Sequence, residues 1–296
     1  MLWHYDLNLN LIEASSLPKQ ESLDSLCVIV RSPYHWRLAL EYAGQIRGLI
    51  FDGHAFAGIP DEIGEFVRLE YLKYYCATSE LGSFDHLTPN IRFLTQLKIM
   101  DLKLCAFEQL PPEIAVLQQL EALYIGRSRL SALPPEIGEL TSLRELWVSN
   151  CKLDEIPKAI GWLGSLVELR LNHNCLGALP QELFNLSFLE VLDLSGNPIR
   201  QIPSAISRLR RLRRLNLSSL QLGTLPAGFF ELTGLEELNL ANNYLMGLPD
   251  GLERLQKLKL LNLRDNVNLA VPEATRLLPA LEQLKTGAEV SIGTGL

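Results

Sequence analysis

Apolar residues in this chain recur as L-x-x-L-x-L at Leu120/Leu123/Ile125, Leu143/Leu146/Val148, Leu166/Leu169/Leu171, Leu189/Leu192/Leu194, Leu212/Leu215/Leu217, Leu235/Leu238/Leu240 and Leu258/Leu261/Leu263, each step being 23 residues. The phase runs back to Leu97/Met100/Leu102, then across a step of 28 to Leu69/Leu72/Tyr74 and on to Ile46/Leu49/Phe51; forward it reaches Leu281/Leu284. A second signature, L-P-x-x-I-x-x-L, lies between these runs, as in Leu133-Pro134…Ile137…Leu140. In L-x-L the two apolar side chains share one face of a short strand, and the residue between them faces the opposite way. The proline turns the chain, and I-x-x-L carries it back over the same core. One unit cannot bury such a face alone, so the units must stack, with strands about 4.8 Å apart. The pattern predicts an α/β solenoid: a curved horseshoe with a parallel sheet on its concave side and short helical or irregular segments on its convex side. About eleven units span residues 46–286, with an insertion at 77–86. Residues 1–45 read as an N-terminal cap of strand plus helix, the helix running from Ser32-Pro33 to Ala43-Gly44, and 287–296 as a short C-terminal tail.

Composition strengthens this reading, because 64 of 296 residues are leucine, a bias that reports a repeated unit rather than one large core. The sequence resembles the leucine-rich-repeat superfamily, specifically its intracellular 23-residue class with LPxEIGxLxxLxxLxLxxNxL, seen in Ras-group and scaffold proteins and in many bacterial cytoplasmic or effector proteins. The resemblance covers 46 to about 286. It implies that Asn174, Asn197, Asn243 and Asn266 form a hydrogen-bonded amide ladder, with Cys105, Ser128 and Cys151 in the same register. Leu220 occupies that register without polar atoms, so the ladder should break there and the arc lose regularity.

Charge narrows the partners. With 27 basic and 34 acidic residues the net charge is −7, which disfavours nucleic acid and anionic lipid. Residues 1–11 lack the features of a secretory signal, and no run of 18 apolar residues exists for a membrane span. The five cysteines have no C-x-x-C spacing, and free thiols in a reducing compartment fit best. Phosphate-binding loops, G-x-S-x-G and H-E-x-x-H are all missing, so neither catalysis nor a cofactor or metal is expected. Asn185-Leu186-Ser187 and Asn216-Leu217-Ser218 match the glycosylation pattern but fall out of the repeat itself.

Packing does not fix the residue between the inward leucines, so its identity reports on use. Read unit by unit, this position gives Ile50, Lys73, Asp101, Tyr124, Trp147, Arg170, Asp193, Asn216, Asn239, Asn262 and Lys285. Tyr124, Trp147 and Arg170 are consecutive there, with Arg127, Asn150 and His173 beyond them and Glu145 and Glu168 before. Exposed Trp, Tyr and Arg are the types that dominate interface hot spots. These residues and Asp193 are the expected partner-binding site, with Tyr71, Tyr75 and Arg214 as a secondary set. The run Asn216, Asn239, Asn262 is weaker evidence, since L-N-L is frequent in such repeats. Of the arginines at 208, 210, 211, 213 and 214, Arg208, Arg210 and Arg211 should lie on the outer wall or rim, while Arg214 should reach the concave side. The expected function is a monomeric, non-enzymatic interaction module, cytoplasmic or delivered to a host cytoplasm, that binds a protein on its concave face. The alternative is the substrate-recognition part of a larger enzyme, such as a bacterial effector ubiquitin ligase or a signalling kinase; a secreted receptor ectodomain is a third and less favoured reading.

Overall fold

The computed structural model describes residues 10–13, 26–53, 56, 58–75, 85–270 and 273–286. The chain divides into two compact units, Met1–Glu145 and Leu146–Leu296. In the first, strands β1 (Asn10–Glu13), β2 (Leu26–Val30), β3 (Gly48–Asp52), β4 (Tyr71–Tyr75), β5 (Ile99–Lys103) and β6 (Ala122–Gly126) lie parallel in chain order. The two strands ahead of the repeats thus join the same sheet. In the second unit, β7 (Glu145–Ser149, all but its first residue), β8 (Glu168–Arg170), β9 (Val191–Asp193), β10 (Arg214–Asn216), β11 (Glu237–Asn239), β12 (Leu260–Asn262) and β13 (Gln283–Lys285) likewise follow chain order.

Register follows the sequence phase. Leu169, Leu192, Leu215, Leu238, Leu261 and Leu284 pair in succession. Leu72 pairs with Met100 across the step of 28 residues, so the additional five are absorbed without a slip that would turn every side chain to the wrong face. Apart from Asp85 and His86, the insertion itself lies outside the described residues. Both members of each L-x-L point inward, as Leu169 and Leu171 do at 0% exposure.

Each return segment is a short 3-10 turn. Prolines such as Pro134 (φ −67°, ψ 148°) and Pro157 enter it in extended conformation, and Ile137 and Ile160 project from it into the core. Proline suits this entry because its fixed φ is already correct and its missing N–H would be unpaired there anyway. Backbones of successive turns approach closely: a Cβ on Gly161 would sit 2.4 Å from the Glu182 carbonyl oxygen. In the first unit α1 (Pro33–Leu40) is capped by the Ser32 side chain, which accepts from His35 N. It ends short of the expected Ala43-Gly44 because Tyr42 and Ala43 donate to Ala39 and Leu40, three residues back. Trp36 stacks on Phe66 and tilts against Phe51, closing the apolar interior at that end.

Two side-chain ladders bind neighbouring repeats. The Asn174 Nδ2 donates to the carbonyls of Val148 and Leu171, while its Oδ1 accepts from Leu153 N. Asn197, Asn243 and Asn266 repeat the arrangement. Such amides satisfy backbone groups that a buried turn would leave unpaired. The Cys105 and Cys151 thiols make weaker contacts with the Lys103 and Ser149 carbonyls. Leu220 is buried and breaks the ladder as expected, and Gln221 after it takes a left-handed conformation (φ 69°). Strand pairing on either side of this unit nevertheless keeps its register.

The second ladder is ionic and occupies the residue immediately before the strands from β3 onward, except at β8, where Val167 interrupts it. In the first unit Arg47, Glu70, Lys98, Glu121 and Arg144 alternate in sign, and in the second Glu190, Arg213, Glu236, Lys259 and Glu282 do the same. Glu70 bridges Arg47 (2.6 Å) and Lys98 (2.8 Å), and Glu236 bridges Arg213 (2.5 Å) and Lys259 (3.1 Å). Burial opposes ionisation of Glu70, but the hydrogen bonds and charges of Lys98 and Arg47 outweigh it and hold its pKa below the usual value. Hydrogen bonds from Arg213 and Lys259 do the same for Glu236.

Leu171→Ala should cost ~2–5 kcal/mol, because it opens a cavity in a core shared with both neighbouring repeats; denaturant unfolding with no loss of stability would contradict the register. Glu236→Lys should lower the melting temperature at low salt and less so at high salt. The wild-type contribution of this carboxylate is present at neutral pH and lost as pH falls through its depressed pKa. In native alkylation with mass-spectrometric readout, exposed Cys175 should react quickly. Buried Cys27, its thiol pushed up to about 12 by desolvation, should react only on unfolding together with Cys105 and Cys151.

Candidate functional site

Once both members of L-x-L are committed to the core, the residue between them stands on the open face of the sheet. In the first unit this places Lys73, Asp101 and Tyr124 side by side. Asp101 is 2% exposed, between Lys73 at 3.8 Å and Lys103 at 3.2 Å. Tyr124 was expected to stand exposed, but it is 4% accessible: the Lys103 ammonium lies 5.8 Å from its ring centroid and its hydroxyl donates to Glu145 Oε2 at 2.7 Å. Tyr71 is also buried, in a strand position between Gly48 and Ile99, and burial pushes its hydroxyl pKa up. Tyr75 stays half-buried beneath Lys73.

The second unit holds the more open group. Trp147 is half-buried in β7, the Arg170 guanidinium stacks 4.8 Å from its ring centroid, and the same guanidinium donates to Glu168. Charge pairing and cation–π contact therefore fix the arginine's orientation, and such a contact is worth ~0.5–2 kcal/mol depending on desolvation. Asp193, next in the row, accepts from the backbone and hydroxyl of Ser195.

Arg127, Asn150 and His173 occupy a different place from the one expected. They sit in the turns beyond the strands, with φ of 52°, 56° and 55°. Leu104, Gly196, Ser219, Asn242 and Asp265 take the same left-handed conformation at the same 23-residue interval. Three of these eight are Asn or Asp and one is Gly, the residues that tolerate it best. The His173 ring lies over Gly196, where a Cβ would come within 2.5 Å of Nδ1. These residues are set by the turn as well as available to solvent.

Arg213 forms ion pairs with Glu236 and Glu190, and Arg211 stacks on Phe188. Arg214 reaches the open face, where it lines a shallow groove of about 320 Å³ with Arg170, Asp193, Asn216, Asn239 and Lys285 among its walls. Asn216, Asn239 and Asn262 also have a local structural role. A readable signal lay in Asp193-Leu194-Ser195 and Asn216-Leu217-Ser218, whose first side chain accepts from the third residue's N–H in an Asx turn. In the second of these the glycosylation-like triplet has a structural use. Elsewhere, Trp162 is 63% exposed at the end of the 3-10 turn Lys158–Trp162, on the returning wall. No group of side chains able to hold a metal ion occurs among the described residues, and no described helix is long and apolar enough to cross a membrane.

A comparison with curated proteins finds no match. Among solved structures, a leucine-rich-repeat protein of Leptospira interrogans is similar at 28% identity and a TM-score of 0.66, covering 86% of this chain and 76% of that one. The leucine-rich repeat domain of the type III effector XopL is 29% identical over 66% of this chain and 70% of its own, with a TM-score of 0.54. The repeat ectodomain of the Arabidopsis thaliana membrane receptor kinase GASSHO1/SCHENGEN3, solved in complex with CASPARIAN STRIP INTEGRITY FACTOR 2, shares the fold at 24% identity and a TM-score of 0.62. That likeness covers 95% of this chain, which spans 35% of the ectodomain. The family described as leucine-rich repeat region matches residues 58–172 and 159–264. These matches span the stacked strands and their proline-led turns, and the chain belongs to the leucine-rich-repeat family.

Proposed function

We propose that this protein is a non-enzymatic binding module that holds a protein partner on the open face of the sheet in its second unit. Trp147 carries the reading: it is a large, half-buried aromatic residue on the open face of the sheet, held by Arg170, which Glu168 holds in turn. A rigid ring and a pre-set guanidinium lose little entropy on binding, which is why these residue types anchor interfaces. Asp193 and Arg214 extend the same face. Tyr124 contributes through its bond to Glu145 rather than through exposed area. The net charge of −7 favours a protein over nucleic acid as the partner.

A cytoplasmic location, in the producing cell or in a host, accompanies this reading. The four described cysteines are free thiols, and the likeness to a type III effector's repeat domain points the same way.

Affinity capture from the native cell or host with wild-type protein, followed by titration of the captured partner, tests the proposal. Trp147→Ala and Arg170→Ala should each weaken binding by ~2 kcal/mol or more while shifting the unfolding midpoint little. Wild-type affinity in both folded variants would move the site off this face.

A further inference from the structure

Four successive strands of the second unit carry Asp193, Asn216, Asn239 and Asn262 at the same open-face position. Each uses one side-chain oxygen, Oδ1, to accept from the backbone N–H two residues on, at Ser195, Ser218, Ala241 and Arg264. An N–H can be satisfied only by an oxygen, so these turns fix the orientation of the three amides. Their Nδ2 groups have no partner among the described residues and face the groove. The result is a row of three NH2 donors about 4.8 Å apart. Lys285 continues the row at one end, and the Asp193 carboxylate closes it at the other. Arg214 stands beside it in the same groove with no ion pair among the described residues.

Such a surface is selective. Each Oδ1 already accepts from its turn while each Nδ2 has no partner among the described residues, so the amides offer a ligand chiefly donors, which suits carboxylates and peptide carbonyls better than ligands that must themselves donate. Arg170 is already paired with Glu168, but Arg214 and Lys285 stand in the groove with no ion pair among the described residues, on either side of the amide donors and beside the carboxylates of Asp193 and Glu237. We infer that this groove binds an extended acidic segment of a protein partner, its carboxylates and carbonyls received by Asn216, Asn239, Asn262 and Lys285. The inference rests on the partner reading above and names the chemistry of the segment that lies next to the Trp147 anchor.

Asp193 makes the test clean. It shows that a carboxylate in this position holds the same turn, so Asn→Asp at 216, 239 and 262 keeps the fold while turning three donors into three anions. Fluorescence anisotropy of a fluorescein-labelled hexaglutamate peptide at low salt should show binding to the wild type that weakens as salt is raised. The triple Asn→Asp variant should lose about tenfold or more in affinity, the scale expected when one charge-assisted hydrogen bond is removed. Asp193→Asn, which lengthens the donor row, should bind more tightly, and it keeps the test decisive if the triple variant does not fold. Absent hexaglutamate binding, equal binding by the folded triple variant, or tighter binding of a hexalysine peptide or a labelled oligothymidine would overturn the inference. If hexaglutamate fails while Trp147-dependent capture of a partner persists, only the acidic-segment inference falls. If hexaglutamate binds in an Asn-dependent way but no partner depends on Trp147, the partner reading falls instead.

Discussion

Everything in this molecule follows from the fact that a repeat cannot bury its own leucines. Leu169 and Leu171 are fully enclosed because the strands and proline-led turns before and after them supply the opposing surface. Stability is therefore a nearest-neighbour property, and each interface must be specified separately. Three devices provide that specification together. They are the leucine register, the amide ladder of Asn174, Asn197, Asn243 and Asn266, and the alternating charges before the strands. Leucines alone are interchangeable between repeats. The charges add distinction, since alternation in sign has twice the period of the fold, and a slip of one unit would set like charges opposite each other. Exposed pairs of this kind are individually weak, and their value lies in discrimination between registers as much as in stability.

The same constraint frees the other face. With both members of each L-x-L directed inward, the leucine core does not fix the residue between them, although neighbours bury Asp101 and Tyr124 at this position in the first unit. The second unit uses this freedom in two adjoining ways. Trp147, Arg170 and Glu168 form a stacked and charge-paired group, while Asn216, Asn239 and Asn262 present amide donors from turns they also stabilise. The first group supplies rigid area and the second supplies directional polarity. In the proposed interface the first group would be the anchor and the second the specificity elements that a partner must match.

Local periodicity made the architecture legible. Alternation about each strand, the proline ahead of each turn and the ladder asparagines are all decided within a few residues, and they reappear where the spacing placed them. What was hidden depends on neighbours a full repeat away. Tyr124 looked open because its own strand points it outward, but Lys103 and Glu145, some 21 residues distant on either side, cover it. The left-handed turn position escaped notice because Leu104, Arg127 and His173 share it with Asn, Asp and Gly, so the residue types form no simple motif. The helix at Pro33 began as read but ended early, since its last turn changes to three-residue hydrogen bonds. The donor row was visible only as L-N-L, because the direction of an amide is settled by the hydrogen bond it makes.

The proposed recognition surface is the sheet's open face, not the returning wall. Two tryptophans of the second unit provide an internal control: Trp147 on the open face and Trp162 on the wall. Hydroxyl-radical footprinting of the free protein and of its complex with a captured partner reads both in one sample. Protection of Trp147 with unchanged oxidation of Trp162 is the predicted result; protection of Trp162 with Trp147 left as reactive as in the free protein would contradict it.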